Sequence, residues 1–392
     1  MHAAAPPFPS RLTPEDELHW LALRLVPGLG TRRLVQLMER FQTPQEIFRS
    51  SVSDLEAAGV PPGPARSLAS GCTFDDAVEQ QSRLRAKGAQ LITFHDPRYP
   101  EVLKEILDPP LTLFVRGNTD LLQYPSIAIV GTRKPTPYGL AVAEKLGGDL
   151  AAAGLCVISG MARGIDTAAQ RAALAVGGRT TAVFGCGVDV IYPSENRRLH
   201  EEISTKGLAI SEFPMGAPAY PQNFPIRNRI VSGMSCGVLV VEGAQYSGSA
   251  ITARLAMDQG REVFAVPGNI TSQASWGPNL LIRQGAKLIS TAQDVINELD
   301  PAIRRRIQNG DPASNRSDAS DNPRQATLPL GPNSALGDLL LSKITVDRPT
   351  HIDALLGSLE NYSSSEIVAV LFELELLGLV RQLPGKQFVK AW

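Results

Sequence analysis

The stretch NFPIRNRIVSG, residues 223–233, sets Arg227 and Arg229 on either side of Asn228, with Phe224, Ile226 and Ile230 around them. Paired guanidinium groups among apolar residues imply an anionic partner, because their forked N–H donors match the oxygens of a phosphate or carboxylate. Three other segments carry groups of the same kind. They are Gly131, Thr132, Arg133 and Lys134 in VGTRKPTPYG, Ser159, Gly160 and Arg163 in ISGMARG, and Ser247, Gly248 and Ser249 in YSGSAIT, which leads into a helical pattern. Hydroxyls, cations and backbone amides at a helix N-terminus form a phosphate site. Each residue also has a plainer account. Phe224 fits a core, Arg227 or Arg229 fits an ion pair with Glu212 or Glu242, and Asn228 fits a helix cap. Ser247, Ser249 and Thr252 have no histidine at a plausible base position in the sequence, so helix capping or phosphate binding explains them more simply than nucleophilic chemistry does.

These segments share a position relative to the strands. Short apolar runs recur with helical segments between them: SIAIV (126–130), LCVIS (155–159), TTAVF (180–184), LAIS (208–211), GVLVV (237–241), EVFAV (262–266) and KLIS (287–290). Such alternation predicts an α/β fold with a mainly parallel sheet covered on both faces. Ligands of open α/β sheets bind beyond the carboxyl ends of the strands, so the loops that start at Gly131, Gly160, Gly185, Gly243 and Gly268 are expected to converge. The first loop lacks G-x-G-x-x-G, and no acidic residue ends the second strand, which argues against a dinucleotide. No cofactor is expected.

The flanks differ in character. Residues 14–75 have helical periodicity, and between two short helices lies VPGLGTRRL, whose paired glycines suit a helix-hairpin-helix turn that either holds a phosphate or merely lets two helices meet. LEAAGVPPGPARSLA (55–69) reads as a degenerate second copy. From about 300 to 335 few apolar residues and many Ser, Asn, Asp and Pro indicate a flexible linker, with Arg304 to Arg306 at a solvated helix end. Residues 337–392 follow the order of a winged helix, with two short strands about a Pro-Gly turn. Its third helix, SSSEIVAVLFELELLG, carries Glu366, Glu373 and Glu375 and no Lys or Arg, so a protein-docking or regulatory role is expected, with Val368, Leu371 and Leu374 serving its own core. The expected domains are 1–75 (helical), 76–300 (Rossmann-like core), 301–336 (linker) and 337–392 (winged helix).

Composition sets the outer bounds. A chain of 392 residues with 43% hydrophobic content can bury several cores, and a formal charge of −1 excludes a protein that coats nucleic acid by bulk attraction while leaving room for a local basic groove. Apolar runs stop well short of the ~18 residues of a membrane span, and the first residues lack the apolar core of a signal peptide, so a cytoplasmic protein without membrane contact is expected. Cys72, Cys156, Cys186 and Cys236 are far apart without C-x-x-C and read as small buried hydrophobes. His2, His19, His95, His200 and His351 show no metal-ligand spacing, and His95 reads as a turn residue.

Seven blocks, GTRKPTPYG, SGMARGIDTAAQ, GCGVDVIYPSEN, SEFPMG, FPIRNRIVSG, SGSAITARLAMDQGREVFAVPG and GPNLLIRQGA, together resemble the DNA-processing protein A family, also called DprA or Smf. The resemblance runs in order from about 92 to 290. It implies an extended Rossmann-like fold that dimerises, binds single-stranded DNA and loads the RecA recombinase during natural transformation, without established catalysis. It places Gly131, Thr132 and Arg133 in a basic pocket with Phe224, Arg227 and Asn228, and makes Arg163, Tyr192 and Asn196 their neighbours. Phe224 or Tyr192 would then stack on an unpaired base. Many relatives have His where this chain has Gln170, so an acid or base role does not carry over to that position. The resemblance also turns the apolar run Leu280, Leu281 and Ile282 into an expected two-fold dimer contact. The alternative is a nucleotide-processing enzyme of the phosphoribohydrolase type, whose P-G-G-x-G-T-x-x-E loop YSGSAIT partly echoes. The catalytic Glu would fall near Thr252, and Glu242 is the available substitute acid.

Overall fold

In the computed structural model, which describes residues 12–308, 334–344, 350–359, 362–376, 379–383, 385 and 387–390, the chain divides into two compact units, one within Met1–Pro312 and the other within Ala313–Trp392. The first unit opens with helices α1 (Pro14–Arg24), α2 (Thr31–Phe41), α3 (Pro44–Arg49), α4 (Val52–Ala57), α5 (Pro62–Ser70) and α6 (Phe74–Ala86). Thr13 caps α1, Thr43 caps α3 and Ser51 caps α4, each hydroxyl satisfying an amide left without a partner in the first turn. Leu21, Leu37, Ile47, Leu55, Leu68 and Leu84 close a shared core.

Both expected hairpins are present. Gly28 (φ 76°) and Gly59 (φ 84°) take the left-handed turn, and the residue after each, Leu29 or Val60, is buried. The copies differ where an anion would approach. The first continues through Gly30 and Thr31 into α2, whereas the second continues through Pro61 and Pro62 into α5, and proline has no N–H to donate.

The core then runs β1 (Gln90–Thr93), α7 (Glu101–Lys104), β2 (Thr112–Gly117), β3 (Ser126–Val130), α8 (Pro137–Ala152), β4 (Cys156–Ser159), α9 (Ile165–Ala175), β5 (Arg179–Phe184), α10 (Arg197–Lys206), β6 (Leu208–Ser211), α11 (Asn223–Gly233), β7 (Gly237–Val240), α12 (Gly248–Asp258), β8 (Glu262–Ala265), α13 (Trp276–Arg283), β9 (Lys287–Leu288), α14 (Ala292–Glu298) and α15 (Pro301–Gln308). Nine strands form one sheet in the order β1-β2-β6-β5-β4-β3-β7-β8-β9. The strands from β6 to β9 along this order are parallel. An antiparallel extension of β2 and β1 precedes them in the chain. Ile127, Ile129 and Val157 pack under α8 and α9, while Ala128, Val130 and Ile158 pack under α11 and α12, so the period-two alternation of a strand is used on two apolar faces. From β3 the chain winds outward to β6, then returns to β7 and winds the other way. The crevice at that reversal is where an open α/β sheet takes its ligand.

One buried charge cluster ties these layers together. Glu212, just beyond β6, is 5% exposed. Its carboxylate accepts from Arg229 Nη2 at 2.9 Å and from Thr31 Oγ1 at 3.2 Å, and its carbonyl accepts from Arg24 Nη2 at 3.1 Å. Arg229 Nε also donates to Asp108 Oδ2 at 2.9 Å. The cluster joins the helical layer, the end of β6, the segment before β2 and α11.

The second unit contains α16 (Ser334–Lys343), β10 (Thr350–His351), α17 (Ile352–Gly357), α18 (Ser364–Leu376), β11 (Val380–Leu383) and β12 (Gln387–Lys390), with an antiparallel sheet ordered β10-β12-β11. This is a winged helix. Its core includes Leu336, Leu340, Ile367, Val370, Leu371, Leu374 and Phe388.

The structure corrects several sequence expectations. Val368 is 48% exposed, because the inward stripe of α18 runs through Ile367, Val370, Leu371 and Leu374. Leu281 lies in the core of the first unit, and Ile282 packs against that core, so a charge at Leu281 would disrupt packing before it could report on a dimer. Cys72 is exposed. The expected linker begins as helix α15, whose Ile303 and Ile307 pack on the core, and residues 309–333 lie outside those described, as do residues 1–11. No helix among the described residues is long and apolar enough to cross a membrane.

Removing one partner from a buried ion pair leaves a charge without compensation. Glu212→Ala is therefore expected to lower the unfolding free energy by about 3–5 kcal/mol in chemical denaturation. A loss under about 1 kcal/mol would mean that Arg229 behaves as a solvated charge.

Candidate nucleic-acid interface

A cleft of about 600 Å³ opens beyond the carboxyl ends of β3, β4 and β7. The β3–α8 loop contributes Gly131, Thr132, Arg133 and Lys134 to its wall, and the β4–α9 segment contributes Gly160, Ala162 and Asp166. Tyr192 enters from the β5–α10 connection, Phe224, Arg227 and Asn228 from α11, and Ser247, Gly248, Ser249 and Thr252 from the start of α12. The reversal of strand order thus brings together residues as far apart in the chain as Val130 and Thr252.

The floor is built around Arg227, which is 5% exposed. Its Nη1 donates to Gly160 O at 2.9 Å and also to Val183 O. Asp166 accepts from Gly160 N at 3.1 Å. Burial pushes the Asp166 carboxyl up, and the Arg227 charge with the amides of Ala162 and Gly160 pulls it back. Burial likewise lowers the pKa of Arg227, opposed first by Asp166. Gly160 has to be glycine for this arrangement, since a Cβ there would lie 2.6 Å from Arg227 Cζ.

The mouth has a different chemistry. Arg133 and Lys134 are exposed, and Arg133 Cζ lies 5.7 Å from the centre of the Phe224 ring. Tyr192, 39% exposed, sits 5.2 Å from Phe224 with the rings 31° apart. Arg163 stands on the adjoining rim and pairs with Glu195, both side chains being more than half exposed. Such a pair contributes little, about 0–1 kcal/mol, so Arg163 can exchange its carboxylate for another anion. On the opposite wall Ser247 caps α12, accepting from Ala250 N at 3.3 Å and lying 2.8 Å from Ser249 Oγ. The N-terminal end of α12, with its unpaired amides and positive dipole end, borders the cleft.

Three expected site residues are not part of it. Ser159 is fully buried and donates to Ile129 O at 2.6 Å. Asn196 is buried and donates to Met161 O at 3.0 Å and to Thr167 Oγ1 at 2.8 Å, which ties the β5–α10 connection to the β4–α9 segment. Arg229 is bound to Glu212 and Asp108. At 3.6 residues per turn, positions two apart point to nearly opposite sides of a helix, so Arg227 and Arg229 cannot face one cleft. Arg227 does line it, as floor and not as an exposed cation.

Glu242, the acid that an enzymatic reading would need, is 2% exposed and accepts from Thr136 N at 2.9 Å and Thr136 Oγ1 at 2.5 Å. It fixes the start of α8. Gln170 is buried and donates to Thr181 O at 3.0 Å. His95 lies in a turn, where burial lowers its pKa. Among the described residues no group of His, Cys, Asp or Glu is arranged to hold a metal. Sequence reasoning missed Asp166, Pro221 and Ile251. Asp166 follows Gly164 by two positions in ARGID, and nothing in that local pattern tells of its proximity to Arg227, 61 residues later (227 − 166).

The family described as DNA recombination-mediator protein A matches residues 90–300, and the DprA winged helix domain matches residues 324–386. Protein Smf of Synechocystis sp. is 33% identical over 95% of this chain and 98% of its own length. DNA processing protein DprA of Streptococcus pneumoniae is 38% identical over 70% of this chain and 95% of its own. The crystal structure of DNA processing protein A from Streptococcus pneumoniae superposes with a TM-score of 0.64 at 35% identity, covering 74% of this chain and 99% of that one.

Gly160→Ala pushes a methyl group into a buried guanidinium. It is expected to lower stability by about 1–3 kcal/mol in a thermal or chemical melt. Gly248, where a Cβ would meet nothing within 4 Å, is the control, and Gly248→Ala should stay within about 0.5 kcal/mol of the parent. Equal effects at the two positions would refute the role given to Gly160.

Proposed function

The chain belongs to the DNA recombination-mediator protein A family, and on that footing we propose that its cleft binds single-stranded DNA and that the protein loads the RecA recombinase on incoming strands during natural transformation. The observation that carries this reading is the mouth of the cleft, where Arg133 lies over Phe224 and Phe224 lies beside Tyr192. An aromatic pair with an open face stacks on an unpaired base of any type, contributing about 1–3 kcal/mol per base, and a duplex keeps those base faces hidden. The cations beside it meet phosphates. The groups present suit a strand of varied sequence, because a stacking surface and cations recognise what all nucleotides share.

The winged helix takes a different part in this reading. Along α18 there is no Lys or Arg, and Glu366 and Glu375 add negative charge. A helix of that charge repels phosphate, which favours a protein partner over a DNA groove. A homodimer belongs to the proposal as well. Two clefts on one strand raise apparent affinity through effective concentration without any new contact.

Binding to oligothymidylate across a salt series tests the cleft. Arg133→Ala and Lys134→Ala should each reduce the salt slope by about 0.7, the value for one phosphate contact on a single strand. Phe224→Ala should weaken binding by about 1–3 kcal/mol with little change in slope. Slopes that stay at the parent value in both cation variants would place the DNA elsewhere. RecA filament growth on the same strands tests the loading step, and a rate unaffected by the protein would overturn that part alone.

Deleting residues 337–392 is expected to leave the affinity and salt slope of the first unit within about twofold of the full chain, since only an acidic module is removed. A large loss, with the circular dichroism of the first unit intact, would assign DNA contact to the winged helix.

A further inference from the structure

The face of the sheet opposite α11 and α12 carries a second basic surface. There α9 and α10 leave an open groove of about 570 Å³ lined by Arg171, Leu174, Arg198, Leu199, Glu202 and Lys206. Arg171 and Lys206 are exposed, and neither has an ion-pair partner among the described residues. Arg198 pairs with Glu202 one turn along α10, with its side chain 90% exposed, a solvated arrangement that leaves the guanidinium available. Half-buried Leu174 supplies an apolar strip beside these charges. In a chain with a formal charge of −1, three cations against one acid in a shallow groove need a partner that is extended and anionic.

The groove shares no lining residue with the cleft, but the two helices that form it start from the loops that line the cleft and its rim. Helix α9 begins at Ile165, two residues after Arg163 of the rim, and α10 begins at Arg197, directly after the Tyr192–Asn196 segment. The Arg163–Glu195 pair bridges the two loops beyond the carboxyl ends of β4 and β5. At about 1.5 Å per residue, Arg171 lies about 9 Å along α9 and Lys206 about 14 Å along α10. That length takes up roughly four nucleotides at the ~3.4 Å rise of a stacked strand.

From this shared origin we infer that the α9–α10 groove is a second contact for the same single strand, which leaves the cleft over Tyr192 and Arg163 and continues past the carboxyl ends of β4 and β5 onto the other face. The inference rests on the proposed reading of the cleft. Arg171, Arg198 and Lys206 take phosphates and Leu174 lies against sugar or base, so the groove contributes only when the strand is long enough to reach it.

The test compares the parent with the double variant Arg171→Gln, Lys206→Gln on an oligothymidylate of about six nucleotides and one of about twenty, across a KCl series, with the oligomeric state followed by sedimentation. On the long strand the salt slope should fall by about 1.4, or 0.7 for each cation, which corresponds to roughly 25-fold weaker binding at 0.1 M salt. On the short strand slope and affinity should match the parent. The charge-preserving pair Arg171→Lys, Lys206→Arg should bind the long strand as the parent does. Parent behaviour of the double variant on the long strand would overturn the groove contact. Equal losses on both strands would also overturn it, since the residues would then act at the cleft or through the fold, and so would a response seen with duplex but not with single strands. If Arg133→Ala leaves short-strand binding untouched, the cleft reading itself fails, an outcome distinct from a failure confined to the groove.

Discussion

A buried guanidinium has to find acceptors for its N–H groups, and α11 buries two of them on opposite sides. Arg227 donates to the carbonyls of Gly160 and Val183, and Arg229 donates to Glu212 and Asp108. Leaving either without partners would cost several kcal/mol, so the helix can take only a narrow range of rotations about its axis. That rotation presents Phe224 and Asn228 to the cleft. The same constraint reaches outward, because Glu212 also receives Thr31, and its carbonyl receives Arg24, from the helical layer. The placement of the first helices and the shape of the cleft thus depend on one helix.

The cleft divides its charges by burial. Cations beneath the surface hold loops together, and cations at the surface remain free to meet a ligand. Arg227 belongs to the first kind and Arg133 and Lys134 to the second, although all three look alike in a sequence. Glu242 is the acidic counterpart of Arg227. Its carboxylate receives both the amide and the hydroxyl of Thr136, which makes it part of the scaffold of the β3–α8 loop. Close backbone approach serves the same end, with Gly131 packed so tightly against Ile165 that a Cβ would come within 2.8 Å of its Cβ.

Glycines, hydroxyls and cations after apolar strands are a local pattern, and that pattern points to Gly131, Thr132, Arg133, Lys134, Gly160, Ser247, Gly248 and Ser249, all of which stand in the wall of the cleft. Short apolar runs at helix-separated intervals likewise specify the parallel strands, since a strand buried on both faces has to be apolar throughout. Less of the sheet's edge is legible. QLIT and TLFVRG, which form β1 and β2, join the sheet by antiparallel pairing with partners that no local periodicity identifies.

The amino-acid sequence by itself determined the α/β class, the winged helix, the loops that carry the site and the types of group they bring. Each of these follows from periodicity, turn chemistry or side-chain chemistry within a few residues. The tertiary structure alone decided which of those groups face the ligand. Arg227 and Arg229 are two positions apart and look equivalent in the sequence, yet the roughly 200° between them on a helix sends one to the cleft floor and the other to Glu212. Ser159 and Asn196 have the chemistry of ligand groups, yet each is buried against a carbonyl supplied by a distant segment. Burial and hydrogen-bond partnership are properties of the packed chain, because they depend on which strands lie side by side, and that order is set by contacts between residues far apart in the sequence.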